Sequence, residues 1–325
     1  MKNDIRAIFI DSEGTLKDQD NKISKETILT IEELKQQGIY IVVTTGLPRF
    51  IARKISLSSH ASPYVIASNG ADIYDLRNNI ELESTYLDKE VVDDILKASN
   101  DFNFILGVGD QEYCNHYNSY CKNGIIFEDK RMIDDKKFFQ CHISQRDKIS
   151  SYKEAIKEIK DFIIKYGINS LKELTGDNYL NVFINNEIDF INNPKIIEVL
   201  YRAVRFIKLR EYRESLLSKH QDKIKIGNQS INFTNYSHDG EIPWFSLNDN
   251  SISKGEGIRK FCQRMDIPLS KTMGIGNDYN DLSMVEYVSL FTCPSDSHEL
   301  VLDKASITFD RTKDGISKLL RKVYN

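Results

Sequence analysis

Ala7-Ile8-Phe9-Ile10-Asp11-Ser12-Glu13-Gly14-Thr15 is the stretch on which the reading of the fold turns. Four consecutive apolar residues predict a strand buried on both faces, as in a parallel sheet. An acidic side chain directly after such a strand stands at its carboxyl end, where open α/β sheets gather their chemistry. A second acidic residue follows two positions on, then a glycine that permits a tight turn. Downstream, Ser24 caps a helix whose apolar stripe is Ile28, Ile31 and Leu34, with Gly38 as its stop. Ile39-Tyr40-Ile41-Val42-Val43 is the next buried strand, running into Thr44-Thr45-Gly46 and completing a β-α-β unit. Tyr64–Ala67 is a third, ending at Ser68-Asn69-Gly70. The alternation predicts an α/β fold with a doubly wound parallel sheet.

The period then changes. Residues 88–98 and 150–166 read as amphipathic helices, and a long helical stretch runs from Pro194 through Leu217. Phe102–Val108, Tyr179–Ile184 and Ile188–Ile191 read as strands. Ile224 and Ile226, then Ile231 and Phe233, alternate on either side of Gly227-Asn228, which predicts a hairpin there. Helices over an antiparallel sheet make a separate α+β unit, expected over 86–245. Parallel βα alternation resumes near Ser253, so 1–85 and 246–325 are expected to form one core. A unit inserted into a loop in this way has neighbouring linkers, which permits hinge motion over the core's site.

Hydrophobic residues make up 40% and charged residues 28% of the chain, ordinary for a water-soluble enzyme. A net charge of −4 gives no global field for nucleic acid or an anionic membrane. No apolar run approaches the about 18 residues that a membrane span needs. The chain reaches its acidic turn by Asp11, leaving no room for a signal peptide, so the cytoplasm is the expected compartment. Five cysteines at irregular spacings, Cys114, Cys121, Cys141, Cys262 and Cys293, form no zinc pattern and are expected as free thiols. The basic series Arg202, Arg205, Lys208, Arg210, Arg213, Lys219 is broken by acidic and apolar residues and reads as a solvated helix face.

Two further segments carry chemistry. Ser253-Lys254-Gly255-Glu256 has an S-x-x-E capping pattern, which sets Lys254 in the first turn of a helix. A cation there opposes the helix macrodipole and becomes favourable when anions stand beside it. Met273-Gly274-Ile275 leads into Gly276-Asn277-Asp278-Tyr279-Asn280-Asp281, four carboxyl or carboxamide groups in six positions.

Taken in order, these segments resemble the motifs of the haloacid dehalogenase superfamily. Asp11–Thr15 resembles its DxDGT signature with Glu13 in place of the second Asp, as in the DxEGT of enolase-phosphatases. Thr45-Gly46 resembles the hydroxyl motif, Lys254 the lysine motif and Gly276–Asp281 the acidic motif. The long segment before Lys254 resembles Cof-type members with a class II (IIB-like) cap, and Asn69-Gly70 matches a loop near their site. The resemblance implies that Asp11 is the nucleophile of an aspartyl-phosphate mechanism and Glu13 its acid–base. It implies that Thr45, Gly46, Lys254 and Asn280 hold phosphate and that Asp281 orients Lys254. It further implies Mg²⁺, with ligands among Asp11, the Glu13 carbonyl, Asn277, Asp278 and Asp281. Where the pattern has a metal-binding Asp, this chain has Asn277, and either that amide or Asp278 takes the place. Leu47 stands where members carry arginine, with Arg49 two residues on. The expected activity is Mg²⁺-dependent hydrolysis of a small phosphorylated metabolite, a sugar phosphate foremost. The alternative is a catalytically impaired phosphate-binding or regulatory protein. Oligomeric state is not legible.

Overall fold

The structure is a computed structural model describing residues 4–18, 20–115, 125–126, 132–134, 136–146, 149–175, 194–230, 242–312 and 314–324. The chain opens with β1 (Ala7–Ile10), α1 (Lys25–Gln36), β2 (Tyr40–Thr44), α2 (Arg49–Ser58), β3 (Tyr64–Ala67), β4 (Asp72–Asp75) and β5 (Ile80–Ser84). A second group follows: α3 (Lys89–Lys97), β6 (Phe102–Val108), β7 (Gln111–Cys114), β8 (Ile125–Ile126), β9 (Gln140–Gln145), α4 (Tyr152–Tyr166) and α5 (Asn169–Thr175). It ends with α6 (Pro194–Lys219), β10 (Ile224–Ser230) and β11 (Trp244–Asp249). The chain then adds α7 (Lys254–Arg264), β12 (Thr272–Ile275), β13 (Leu290–Pro294), α8 (Glu299–Leu302), β14 (Ile307–Phe309) and α9 (Gly315–Tyr324).

The first and last groups share one sheet, ordered β14-β13-β12-β1-β2-β3-β4-β5 among the described residues. The six strands from β14 to β3 are parallel, and β4 and β5 add an antiparallel edge that the apolar runs did not announce. β1 is central because both its faces are apolar. Ile8 and Ile10 pack with Ile31 and Leu34 of α1, Ile55 of α2 and Leu319 of α9. Ala7 and Phe9 face the other way, towards Ile258 and Phe261 of α7. Ser24 Oγ caps α1 by accepting the Thr27 N–H at 3.1 Å, as its position predicts. Phe261 sits edge-on to Phe9 at 5.7 Å and also meets Tyr40 and Tyr64, tying α7 across β1, β2 and β3.

The insert has its own sheet, ordered β10-β11-β9-β6-β7-β8 and antiparallel except between β7 and β8. One face of it, through Phe104, Leu106, Ile143, Phe245 and Leu247, packs on α3 and the second half of α6. The other half of α6 packs on α4 and α5. β11 spans the expected 245/246 boundary, so this sheet runs on to Asp249.

Three expectations are corrected. Gly227-Asn228 is a bulge inside the continuous strand β10, not a hairpin, because β11 pairs with β10 on both sides of it. Alternation of side chains reads the same on either side of a bulge or a turn, so the pattern alone does not separate them. Cys114 is disulfide-bonded, whereas Cys141, Cys262 and Cys293 are free and buried. Spacing along the chain does not say which thiols meet. Arg205, read as solvated, is buried and pairs with Glu158 at 3.0 Å, since α4 packs against that side of α6. The expected strands over 179–184 and 188–191, and the hairpin arm at Ile231 and Phe233, lie outside the described residues.

Phe261→Ala should cost about 3–5 kcal/mol of stability, the usual cost of emptying a packed aromatic site. Urea denaturation read by tyrosine fluorescence checks this, with a loss below about 1 kcal/mol counting against Phe261 as the keystone of that face.

Candidate active site

The carboxyl ends of β1, β2, β3 and β12 converge, and each delivers one of the motif segments. β1 runs on to β2 while its other neighbour, β12, runs on to β13, so the connections from these two strands go opposite ways and leave between them the crevice where open α/β sheets bind ligands. The Asp11 N–H is held by the Ile275 carbonyl at 2.8 Å, fixing the first acidic residue to the end of β12.

Lys254 ties the site together. Its Nζ donates to Asp11 Oδ1 and to Asp281 Oδ1, both at 2.6 Å, and the ammonium is 1% exposed. Ser253 Oγ accepts the Glu256 N–H at 3.0 Å, so the capping pattern does set Lys254 at the start of α7. Burial disfavours the charged ammonium, but the two carboxylates overcome it and hold the lysine protonated. Burial pushes the Asp11 carboxyl up, to about 7, against the pull of Lys254 and with a further push from Asp281. Asp281 has both oxygens committed: its Oδ2 accepts the N–H groups of Asn277 at 2.8 Å and Asp278 at 3.0 Å. Asp278 caps the following turn, its Oδ1 accepting the Tyr279 N–H at 2.7 Å.

The Ser12–Leu16 segment is a tight turn in which Gly14 has φ +73°. A Cβ at Gly14 would lie 2.6 Å from Asn277 Nδ2, so both the backbone angle and the space require glycine. Asn277 meets this turn in either of two amide orientations. With the nitrogen inward its two N–H groups face three acceptors, the Glu13 carbonyl at 2.8 Å, Asp11 Oδ2 at 3.2 Å and Thr15 Oγ1 at 2.7 Å. With the oxygen inward it accepts the Thr15 hydroxyl at 2.7 Å and faces two other oxygens.

That second orientation is repulsive unless a cation stands among the three oxygens. In it the Asn277 oxygen lies 2.8 Å from the Glu13 carbonyl oxygen and 3.2 Å from Asp11 Oδ2. These separations bracket the ligand edge of an Mg²⁺ octahedron, about 2.9 Å for Mg–O distances of roughly 2.0–2.1 Å. The Asn277 oxygen is thus spaced from the Glu13 carbonyl and Asp11 Oδ2 as neighbouring ligands of a small hard cation are. Among the described residues no cluster of three His, Cys, Asp or Glu side chains is spaced to hold a metal. The fit depends on a carbonyl and a carboxamide, which such clusters do not include. An amide at 277 also suits the cation-free site, where a carboxylate would face Asp11 in repulsion.

Thr45 Oγ1 and Ser12 Oγ share a hydrogen bond of 2.9 Å, and Thr45 Oγ1 also accepts the Leu47 N–H at 3.2 Å. The Thr45 N–H is donated to the Ile66 carbonyl at 2.8 Å, which leaves the hydroxyl as its polar contribution. Gly46 follows in the same loop, half-buried, and Glu13 is exposed. Asn280 donates to Asn69 Oδ1 at 3.0 Å. Arg49 does not replace the arginine that Leu47 lacks. It forms a buried two-bond pair with Asp72, both bonds 2.7 Å, and lies over the Tyr74 ring. Ser12 and Asn248 of β11 also belong to the constellation but carried no role in the sequence reading, whereas Asn69 was placed there only as part of a loop near the site. Its position two residues beyond a parallel strand agrees with that placement. Nothing marks Asn248, which alternates through β11 like any strand residue.

Lys254→Met should destabilise the cation-free protein by about 3–5 kcal/mol, because it strands two buried carboxylates. Asp281→Asn should cost less, since an amide oxygen still accepts from the Asn277 and Asp278 N–H groups. Thermal unfolding of the two variants ranks them, and equal small losses would remove Lys254 from its central place.

A family model described as haloacid dehalogenase-like hydrolase matches residues 8–320. The phosphatase YwpJ of Bacillus subtilis is 21% identical over 328 residues, covering 98% of this chain and 99% of that protein. The crystal structure of TM0651 from Thermotoga maritima superposes with a TM-score of 0.70 at 16% identity, covering 99% of this chain and 98% of that one. The subclass IIB sugar phosphatase BT4131 gives a TM-score of 0.65 at 16% identity, with 98% of each chain covered. At such identities the superpositions speak for the fold alone. The family match spans nearly the whole chain, core and insert together, and the chain belongs to the haloacid dehalogenase-like hydrolases.

Proposed function

We propose that the protein is a Mg²⁺-dependent phosphatase that hydrolyses a small phosphorylated metabolite through an aspartyl-phosphate on Asp11. The observation that carries this reading is the two-sided setting of Asp11. Its Oδ1 is held by Lys254, and its Oδ2 belongs to the oxygen set with Glu13 and Asn277. Mg²⁺ bound by Asp11, the Glu13 carbonyl and Asn277 would neutralise charge on the transferring phosphoryl group.

The chain's own groups supply the remaining steps. Lys254 offsets part of the cost of burying the Asp11 carboxylate and holds Oδ1 in place for the attack. Asp11 Oδ1 attacks phosphorus while the bond to the leaving oxygen breaks, and the Glu13 carboxyl gives that oxygen a proton. Glu13, now a carboxylate, takes a proton from water, whose oxygen attacks phosphorus and releases Asp11 and inorganic phosphate. The hydroxyls of Ser12 and Thr45 stand beside the nucleophile as donors to phosphoryl oxygens, and Asn280 is a further contact. The exposure of Glu13 suits a group that must reach the leaving oxygen.

Every group in this scheme lies in the core, so the insert is assigned the choice of substrate. A sugar phosphate is the class we favour, following the sugar phosphatase that shares the fold. The compartment we assign to this activity is the cytoplasm, where small phosphorylated metabolites are made and consumed. No helix among the described residues is long and apolar enough to cross a membrane.

Hydrolysis of p-nitrophenyl phosphate should require Mg²⁺ and vanish in Asp11→Asn, as a steady-state assay with and without chelator will show. Activity that survives both changes would sink the mechanism. Glu13→Ala should slow turnover by about 10²–10⁴-fold, the range for a lost proton-transfer group. An unchanged rate would favour the binding-protein reading. Asn277→Asp should tighten Mg²⁺ by adding charge to the oxygen set. Calorimetric titration of the metal alone tests it, and an unchanged affinity would move residue 277 out of the coordination sphere.

A further inference from the structure

Asn280, Asn69 and Asn248 form a chain of carboxamides that crosses from the core loop to the insert. Asn280 Nδ2 donates to Asn69 Oδ1 at 3.0 Å, and Asn69 Nδ2 donates to Asn248 Oδ1 at 3.1 Å. Asn248 Nδ2 in turn donates to the carbonyls of Ser68 and Phe139, at 3.3 Å and 3.4 Å. All four bonds run in one direction. The reason lies at the far end, where backbone carbonyls only accept and therefore fix which edge of Asn248 carries nitrogen. Once Asn248 is fixed, its oxygen fixes Asn69, and Asn69 fixes Asn280.

We propose that Asn248 is a positioning residue for the phosphoryl site, acting on Asn280 through Asn69. This rests on the reading of Asn280 as a phosphate contact. An anion is recognised by the N–H edge of an amide and repelled by its oxygen. Asn280 engages one N–H with Asn69, and the same nitrogen carries a second. Seating of the insert thus decides which edge Asn280 turns to the phosphoryl group. The group that grips phosphate in the core is oriented from the unit assigned to read the leaving group.

Two further observations show the structure accommodating this chain. Ser68 and Asn69 both adopt left-handed backbone angles, with φ of 50° and 58° respectively. A serine rarely holds that conformation. The bulge in β10 puts Gly227 against the pair, where a Cβ would lie 2.0 Å from Asn248 Oδ1 and 2.8 Å from Asn69 Nδ2. Asn248 has no exposed surface and Asn69 is 5% exposed, so water does not substitute for a lost bond.

The test is a double-mutant cycle on binding of inorganic phosphate in the presence of Mg²⁺, measured by calorimetry on the full chain. Asn248→Asp preserves shape but turns oxygens towards the Ser68 and Phe139 carbonyls. It should weaken phosphate about tenfold, the worth of one or two hydrogen bonds. In an Asn280→Ala background the same change should have no further effect, because the chain no longer ends on phosphate. Additive losses, or an unchanged affinity in Asn248→Asp, overturn the proposal. Gly227→Ala keeps all three amides and crowds the pair, so it must show the same loss; if Asn248→Asp fails to fold, that variant decides. Hydrogen exchange supplies a readout that does not need phosphate. Amides of 279–284 should exchange about tenfold faster in Asn248→Asp, and unchanged exchange again overturns the chain. A wild type that binds no phosphate would count against the phosphatase reading, and the exchange result would then decide the chain alone.

Discussion

The Lys254 ammonium between Asp11 and Asp281 is the constraint on which the rest of the site depends. A charge of either sign at that depth is costly, and only the mutual pairing makes the burial tolerable. The arrangement also joins separate parts of the chain. Asp11 follows β1, Lys254 opens α7 and Asp281 follows β12, so the pairing sets the spacing of three elements at once. Asp281 extends the tie by gathering the Asn277 and Asp278 amides, which shapes the loop that faces the Asp11–Thr15 turn.

Around that tie the site has two kinds of polar group. Some are fully spent on the protein: Arg49 on Asp72, the Thr45 amide on Ile66 and the Asp281 carboxylate on lysine and backbone. Others keep capacity to spare, notably Asn277 with its two orientations and the Ser12–Thr45 hydroxyl pair. A buried group that is already satisfied builds the scaffold, while one with an unused lone pair or N–H can answer to a ligand. This distinction, rather than closeness to Asp11, separates framework from chemistry here.

Much of the core was legible because its signals are local. Ala7–Ile10 is apolar at every position, which in so short a run speaks for burial on both faces, and Ser24 and Ser253 sit where caps must sit. The site segments follow strand ends, so naming the strands placed Asp11, Thr45 and Asn277 together. The edge strands β4 and β5 escaped because Asp72, Asp75, Glu81 and Glu83 mask any apolar run. The commitments of single groups escaped for another reason. That Arg49 turns to Asp72, or that Arg205 is buried by α4, depends on packing between elements distant in sequence. The chain of amides through Asn248 is the extreme case, since each of its bonds to Asn69 and Ser68 spans about half the chain.

β1 lies at the middle of its sheet, with Ala7 aligned to Tyr40 on one side and to Thr272 on the other. The first of these partners emerges from the ribosome soon after β1; the second comes only after the entire insert. Until then a short strand with no polar side chain presents one bare row of N–H and C=O groups. Such an edge is a template for pairing with other chains, and closing it requires a long-range contact of the kind that slows folding. The insert has a sheet and core clusters of its own and can condense while the flanking strands wait. The nascent chain therefore carries this bare edge from the emergence of β2 until β12 arrives, throughout synthesis of the insert, and a chaperone that shields β1 would act over that whole interval.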